Sequence, residues 1–217
     1  MSLVVYTVKS LLALLIVLTP LISVSSFTAL AAGIAAPRER HRIATRTSIA
    51  VAVLMLLFLA GGNYLFRFFG ISLPAFQIAG GIVIFANGFA MVRAQTRAKF
   101  TDEEAREAAT KDDFSIVPLA IPMICGPATI STVILYAAEA PDSNHVAALA
   151  AAVLIAAIIQ YVFLLLASEV SRFLGVAGMN ILTRIMGLLL ASIAVQIIIR
   201  GVTASYALIK DSPAAPL

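Results

Sequence analysis

The feature that most restricts this sequence is a series of six apolar runs, each bounded by charged or turn-forming residues. They cover approximately residues 4–32, 48–69, 74–92, 115–138, 146–167 and 181–201. A helix needs about 20 apolar residues to cross the hydrocarbon of a bilayer. Within that layer only helices and closed barrels satisfy their own backbone groups. Runs of this length predict an all-α membrane protein of six transmembrane helices. Composition agrees, since 61% of the 217 residues are hydrophobic and 12% are charged, where a soluble domain carries roughly 25% charged residues. The crossings leave no room among these residues for a separate soluble domain.

The net charge of +4 reads as a topology signal rather than as a nucleic-acid surface. Arg38, Arg40, Arg42 and Arg46 fall in the first connection, and Arg93, Arg97, Lys99, Arg106 and Lys111 in the third. Arg172 lies in the fifth, with Arg184 close by. The positive-inside rule places these odd-numbered connections in the cytoplasm and both termini outside a bacterial inner membrane. An apolar stretch behind Lys9, with Ala29-Leu30-Ala31 after it, imitates a signal peptide. The length of the run and the later recurrence of its proline region favour an intact first crossing. Cys125 is the sole cysteine, and His41 and His145 lie in different loops, so neither a disulfide nor a metal or other cofactor is expected. In the third connection Thr101-Asp-Glu-Glu104 has capping-box form and predicts a short surface helix.

The chain also repeats itself. "TPLISVSSFTAL" around Pro20 resembles "IPMICGPATISTV" around Pro122, and "FRFFGISLPAFQIAGGIVI" resembles "SRFLGVAGMNILTRIMGLLL". The second match aligns Arg67 with Arg172, Gly70 with Gly175, and Gly80 with Gly187. The division is a three-helix repeat over residues 1–92, a cytoplasmic linker over 93–114, and a second three-helix repeat over 115–217. Three crossings is an odd number, so the second repeat enters the membrane from the opposite side. Inverted repeats characterise secondary transporters, whose site lies where discontinuous helices of the two halves meet.

Proline inside a crossing removes an amide donor and obstructs the carbonyl one turn earlier, so the first and fourth helices are expected to be broken. The first carries Thr19 and Pro20, followed by Ser23, Ser25 and Ser26; the fourth carries Pro122, Cys125, Gly126 and Pro127, followed by Thr129 and Ser131. Breaks facing one another offer amides and positive dipole ends to a carboxylate, and carbonyls and hydroxyls to an ammonium. These residues, with Gln160 in the fifth crossing, form the candidate substrate-binding set for a small zwitterion. The alternative is a pair of kinks whose hydroxyls bond their own helices. Gln77 and Asn87 are further polar residues within spans, and Arg184 is placed to snorkel to the cytoplasmic interface. No span holds aspartate, the one lysine, Lys9, lies near the start of the first span, and no metalloprotease or nucleophile–base motif is present, so an enzyme is not expected.

"GISLPAFQIAGGIVIF", "IPMICGPATISTVI" and "RIMGLLLASIAVQII", in that order, resemble motifs of the MarC family, which includes the SnatA-type neutral amino acid transporters. The resemblance covers nearly the whole chain. It implies a six-helix inner-membrane protein, and for some members exchange of glycine, alanine and other small neutral amino acids. The family's first-half motif is approximately Asp-Pro-x-Gly-Asn-x-Pro, and here it reads Thr19-Pro20-Leu21-Ile22-Ser23-Val24-Ser25. An acid is thus replaced by Thr19, a glycine by Ile22 and an amide by Ser23, changes that tend to restore helix and alter any ligand. In the second half Pro122, Gly126 and Pro127 are kept, with Ala128 at a usual glycine. The reading is a transporter, exporter or exchanger, of small neutral amino acids embedded in the lipid bilayer, with homo-oligomers allowed. Its rivals are a carrier of another small solute and a nontransporting membrane scaffold.

Overall fold

The structure, a computed structural model, describes residues 2–31, 34, 36–93 and 114–211. All regular structure among them is helical. The helices are α1 (Leu3–Leu18), α2 (Pro20–Leu30), α3 (Pro37–Phe69), α4 (Leu73–Val92), α5 (Ser115–Ile124), α6 (Pro127–Ala138), α7 (Ser143–Leu165) and α8 (Ala167–Asp211). Five stretches are long and apolar enough to cross a membrane: α1 with α2, most of α3, α4, α7 and most of α8. The pair α5–α6, bent by 64°, brings the number to six where it is counted as one span. The linker residues 94–113, including the expected helix at Thr101, lie outside the described set.

Contacts fix the direction of each crossing. Near its start α1 meets the end of α6 and the first turn of α7, through the Tyr6 hydroxyl donating to the Tyr136 carbonyl (2.8 Å) and the Tyr6 and His145 rings 5.0 Å apart. His41, early in α3, approaches Tyr161 late in α7. A Cβ on Gly62 would lie 2.8 Å from Ile134 of α6. Helices α1–α2, α4 and α7 therefore run one way, and α3, α5–α6 and the long limb of α8 run the other. Successive crossings alternate, as short connections require.

Two buried clusters hold the bundle. The larger joins α1, α2, α3, α5, α6 and α7 around Leu14, Leu18, Met55, Leu119, Leu149 and Leu164. The alanines of α7 serve it, since Ala152 and Ala156 are fully buried and let neighbouring backbones approach. The smaller cluster seats α4 on α8, with Ile84, Met91, Leu190 and Ala194 at its centre. Here glycine is a packing requirement. A Cβ on Gly88 would lie 2.7 Å from the Ala191 amide nitrogen, and one on Gly187 2.7 Å from the Gly88 carbonyl oxygen. Lipid tails are as apolar as side chains, so helices in a bilayer associate through such close contact.

The turns follow their residues. Gly70 ends α3 with φ +63°, and its amide and that of Ile71 both reach the Phe66 carbonyl. Gly175 adopts φ +61° and divides α8 into a short limb and a long one. Both are left-handed positions, open to glycine without Cβ strain. The fifth connection, expected as a loop around Arg172, is thus itself helical, with Gly175 as its break. Ser72 and Asp142 cap α4 and α7 by accepting bonds from the Ala75 and His145 amides.

Candidate functional site

The first crossing breaks at one residue. Pro20 has no amide hydrogen for the Ile16 carbonyl, so it opens a new helix at the first position, where proline fits. Thr19 joins α1 to α2 in the left-handed conformation, φ +49° and ψ +59°. That conformation is uncommon for non-glycine residues and an outlier for β-branched ones. The Ser23 hydroxyl donates to the Leu18 and Thr19 carbonyls at 3.4 and 3.3 Å, serving carbonyls at the end of α1. Ile22 lies within α2, so the helix is restored there, as expected.

The fourth crossing breaks over a longer stretch. Val117 and Ile121 precede Pro118 and Pro122, and both adopt extended angles near φ −125° and ψ +120°, because a following proline ring disfavours helical geometry. Helix α5 closes with wide turns in which the Leu119 amide reaches the Phe114 carbonyl and the Cys125 amide the Ala120 carbonyl. Thr47 of α3 donates to the Ser115 carbonyl at 2.9 Å. Gly126 then caps α6 in an extended conformation, Pro127 opens it, and α5 and α6 meet at 64°. A Cβ on Gly126 would stand 2.8 Å from the Pro122 carbonyl oxygen.

The two breaks face one cavity of about 210 Å³. Val17 and Thr19 line it from the end of α1, Ile22 from the start of α2, Ile124 from the end of α5, and Gly126 to Thr129 from the start of α6. Two amino-terminal and two carboxy-terminal helix ends thus converge, with partial charges of both signs. Asn87 and Val83 complete the wall from α4. No lining residue is ionisable, so a charged ligand group there would be met by backbone dipoles, hydroxyls and one amide. The Thr129 hydroxyl gives its hydrogen to the Ile124 carbonyl at 2.9 Å, which leaves its lone pairs as acceptors.

Of the expected substrate set, Thr19, Pro122, Gly126, Pro127 and Thr129 line this cavity. Pro20 lines a larger apolar cavity behind the break. Ser23, Ser26 and Cys125 are buried outside both linings, and Ser25 is exposed with its hydroxyl on the Leu21 carbonyl. Ser131 packs beside Gly80 of α4, 3.4 Å from a Cβ placed there. Gln160 is fully buried in α7 and makes no hydrogen bond among the described residues. Asn87 was visible as a polar residue within a span but not as a member of the site. Gln77 is engaged elsewhere, donating to Glu139 at 2.8 Å, with Arg200 3.9 Å from the same carboxylate.

The sequence matches the model of the family described as MarC family integral membrane protein over residues 4–206. A UPF0056 membrane protein of Methanocaldococcus jannaschii is 39% identical over 76% of this chain and 80% of its own length. The UPF0056 membrane protein YvbG of Bacillus subtilis is 32% identical over 93% of this chain and 96% of its own. YhcE of Escherichia coli, another UPF0056 membrane protein, is 30% identical over 77% and 78%. No solved structure matches. A match to the family model that runs from α1 into the last turns of α8, through both breaks, places this chain in the MarC family of integral membrane proteins.

Proposed function

We propose that this protein is a secondary transporter, exporter or exchanger, of small neutral amino acids in a bacterial inner membrane. The observation that carries the reading is the convergence of four helix ends from two broken crossings on one small cavity without ionisable side chains. The start of α6 offers the Ala128 and Thr129 amides to a carboxylate. Carbonyls at the ends of α1 and α5, with Asn87, suit an ammonium group. Drug-sized ligands occupy pockets of roughly 300–1,000 Å³, so about 210 Å³ suits glycine or alanine better.

Alternating access about two inverted halves supplies the mechanism. The left-handed glycines Gly70 and Gly175 support the repeat, because they hold aligned positions in the two halves. So does the pairing of the breaks. Thr19-Pro20 and Gly126-Pro127 each join two helices, which sets Pro20 against Pro127 where the sequence match sets it against Pro122. The opposed directions of α1–α2 and α5–α6 are those an inverted pair requires. The positive-inside rule applied to the Arg-rich connections supports both termini lying outside.

Counterflow of labelled glycine and alanine in proteoliposomes, with and without proton or sodium gradients, tests the reading. Saturable exchange is expected, and its absence for every small neutral amino acid contradicts it. Thr19 at the family's acidic position favours one other reading, a carrier of a different small solute. Thr19→Asp combined with Ser23→Asn should then shift the substrate profile.

A further inference from the structure

Between the small cavity and the end of the bundle that the charge count assigns to the outside, α4 and α6 form a continuous seam. Both helices line the cavity, α4 with Val83 and Asn87 and α6 with Pro127 to Thr129. One turn outward from Val83, Gly80 lets α6 come close, and a Cβ placed on it would lie 3.4 Å from the Ser131 Cβ. Leu135 of α6 is buried in the same apolar cluster as Ile84 of α4 and Ile197 of α8. At the outer edge the Gln77 side chain donates to the Glu139 carboxylate at 2.8 Å, and Arg200 of α8 stands 3.9 Å from that carboxylate. A hydrogen bond to a charged group is among the stronger ones, and Gln77 is only 7% exposed. Arg200 is mostly exposed and distant, so its ion pair adds little.

The seam joins units that are otherwise packed separately. Helix α4 is locked to α8 along its length. A Cβ on Gly88 would meet α8 backbone, and one on Gly201 would lie 2.8 Å from the Pro74 carbonyl oxygen and 2.9 Å from the Gln77 Cβ. Helix α6 is held instead by α3, where Gly62 admits Ile134, and by the larger cluster that joins it to α1 and α7. On the other side of the cavity α5 packs on α2 and α3, and it makes no comparable seam with α4 among the described residues. The cavity is thus sealed toward the outside by contacts across the two units. Gln77 and Glu139 lie near helix ends, Gln77 in the second turn of α4 and Glu139 at the close of α6. Water there can take over their bonds when the seam parts, which keeps the opening reversible.

We propose that this seam is the outer gate of the small cavity, with Gln77 and Glu139 as its latch and Arg200 as a lesser partner. It opens when the α4–α8 pair moves off α6 as one body, a rearrangement of packed units rather than a bending of either. This deepens the transport reading and rests on it for the requirement that the seam open.

Thiol accessibility tests the gate. With Cys125→Ser as background, Thr129→Cys places a reporter in the cavity, and a membrane-impermeant methanethiosulfonate is added outside right-side-out vesicles. Gln77→Leu and Glu139→Ala should each raise the outside modification rate by about tenfold, the worth of one hydrogen bond. Arg200→Gln should raise it by about twofold, that of an exposed pair. Met55→Cys, a second reporter inside the larger cluster, should stay unmodified in every variant; its modification alongside Thr129→Cys would mark a loosened fold and count against the gate. Gly80→Cys with Ser131→Cys, again with Cys125→Ser, supplies a lock, because the two Cβ atoms stand close to the span of a disulfide, about 3.5–4.5 Å. Oxidation should abolish alanine exchange and reduction restore it. Labelling needs no transported solute, so raised labelling in variants of a protein that exchanges nothing contradicts the transport reading and leaves the gate standing. An outside rate unchanged in both Gln77→Leu and Glu139→Ala overturns the gate whatever the cavity carries. So does a lock pair that never cross-links, or exchange that persists once it has.

Discussion

The two breaks reach one cavity by different means. At Thr19 a single left-handed residue separates two helices that continue as one crossing, and the adjacent hydroxyl of Ser23 serves the carbonyls left over. Between Ser115 and Pro127 two prolines with their extended predecessors, a glycine and a further proline open the backbone over more than a turn and bend it by 64°. One junction concentrates its distortion in a residue poorly suited to it, and the other spreads it over residues chosen for it. The second junction is therefore made of residues suited to a break, and the first is not.

The sharpest way to break this comparison is to close the second junction. Gly126→Leu would force a side chain against the Pro122 carbonyl oxygen, 2.8 Å from any Cβ. Solute exchange is expected to fall by roughly a hundredfold, as small misplacements at a site do, with helix content by circular dichroism unchanged. Gly88→Leu provides the contrast. Its Cβ meets backbone of α8 at 2.7 and 2.8 Å, so it should destabilise the protein by about 3 kcal/mol, the upper end of the range for overpacking, read as a lowered unfolding midpoint in detergent.

Smaller changes sharpen the difference. Asn87→Leu removes the amide from the cavity wall and should raise KM for alanine up to roughly tenfold, the worth of one hydrogen bond, with little effect on thermal stability. Thr19→Gly should stabilise the fold by about 1 kcal/mol, because left-handed strain of about 1–3 kcal/mol is relieved and part is returned as backbone entropy. No matching gain is expected from any substitution at Gly126. The smallest effect lies far from both junctions. Hydrogen bonds from His145 hold the Asp142 carboxyl below its ordinary value of 3.8. Its capping of α7 is therefore fully present above that value and is lost as pH falls through the depressed range. Asp142→Ala should remove this step from an acid-unfolding profile and leave the rest unchanged.

The apolar crossings and the location of both breaks were legible in the sequence, because hydropathy and proline act locally. Pro118 and Pro122 dictate their extended predecessors whatever surrounds them. Azimuth was not legible. Ser23, Ser26 and Gln160 sit at sensible depths, yet the rotation of α2 and α7 against their neighbours, set by packing around Leu14, Leu18 and Leu164, turns them away from the cavity. The seating of α4 on α8 brings in Asn87, whose sequence surroundings resemble those of Gln77. Hydroxyls after the prolines largely bond their own helices, as Thr28 does to Val24 and Thr132 to Ala128. Such residues mark a strained segment without lining a site. The helical limb before Gly175 was hidden because a short polar stretch with one arginine reads equally well as loop.

The central claim is that the two junctions form one binding site for a small neutral amino acid. Thr19→Cys and Thr129→Cys, each made separately with Cys125→Ser, place a thiol on opposite walls of the cavity. The rate at which a membrane-permeant thiol reagent modifies each, with and without alanine, measures the claim directly. Parallel, saturable protection of both thiols with the same half-maximal concentration is the predicted result. Protection of one thiol alone, or of neither by any small neutral amino acid, would contradict it.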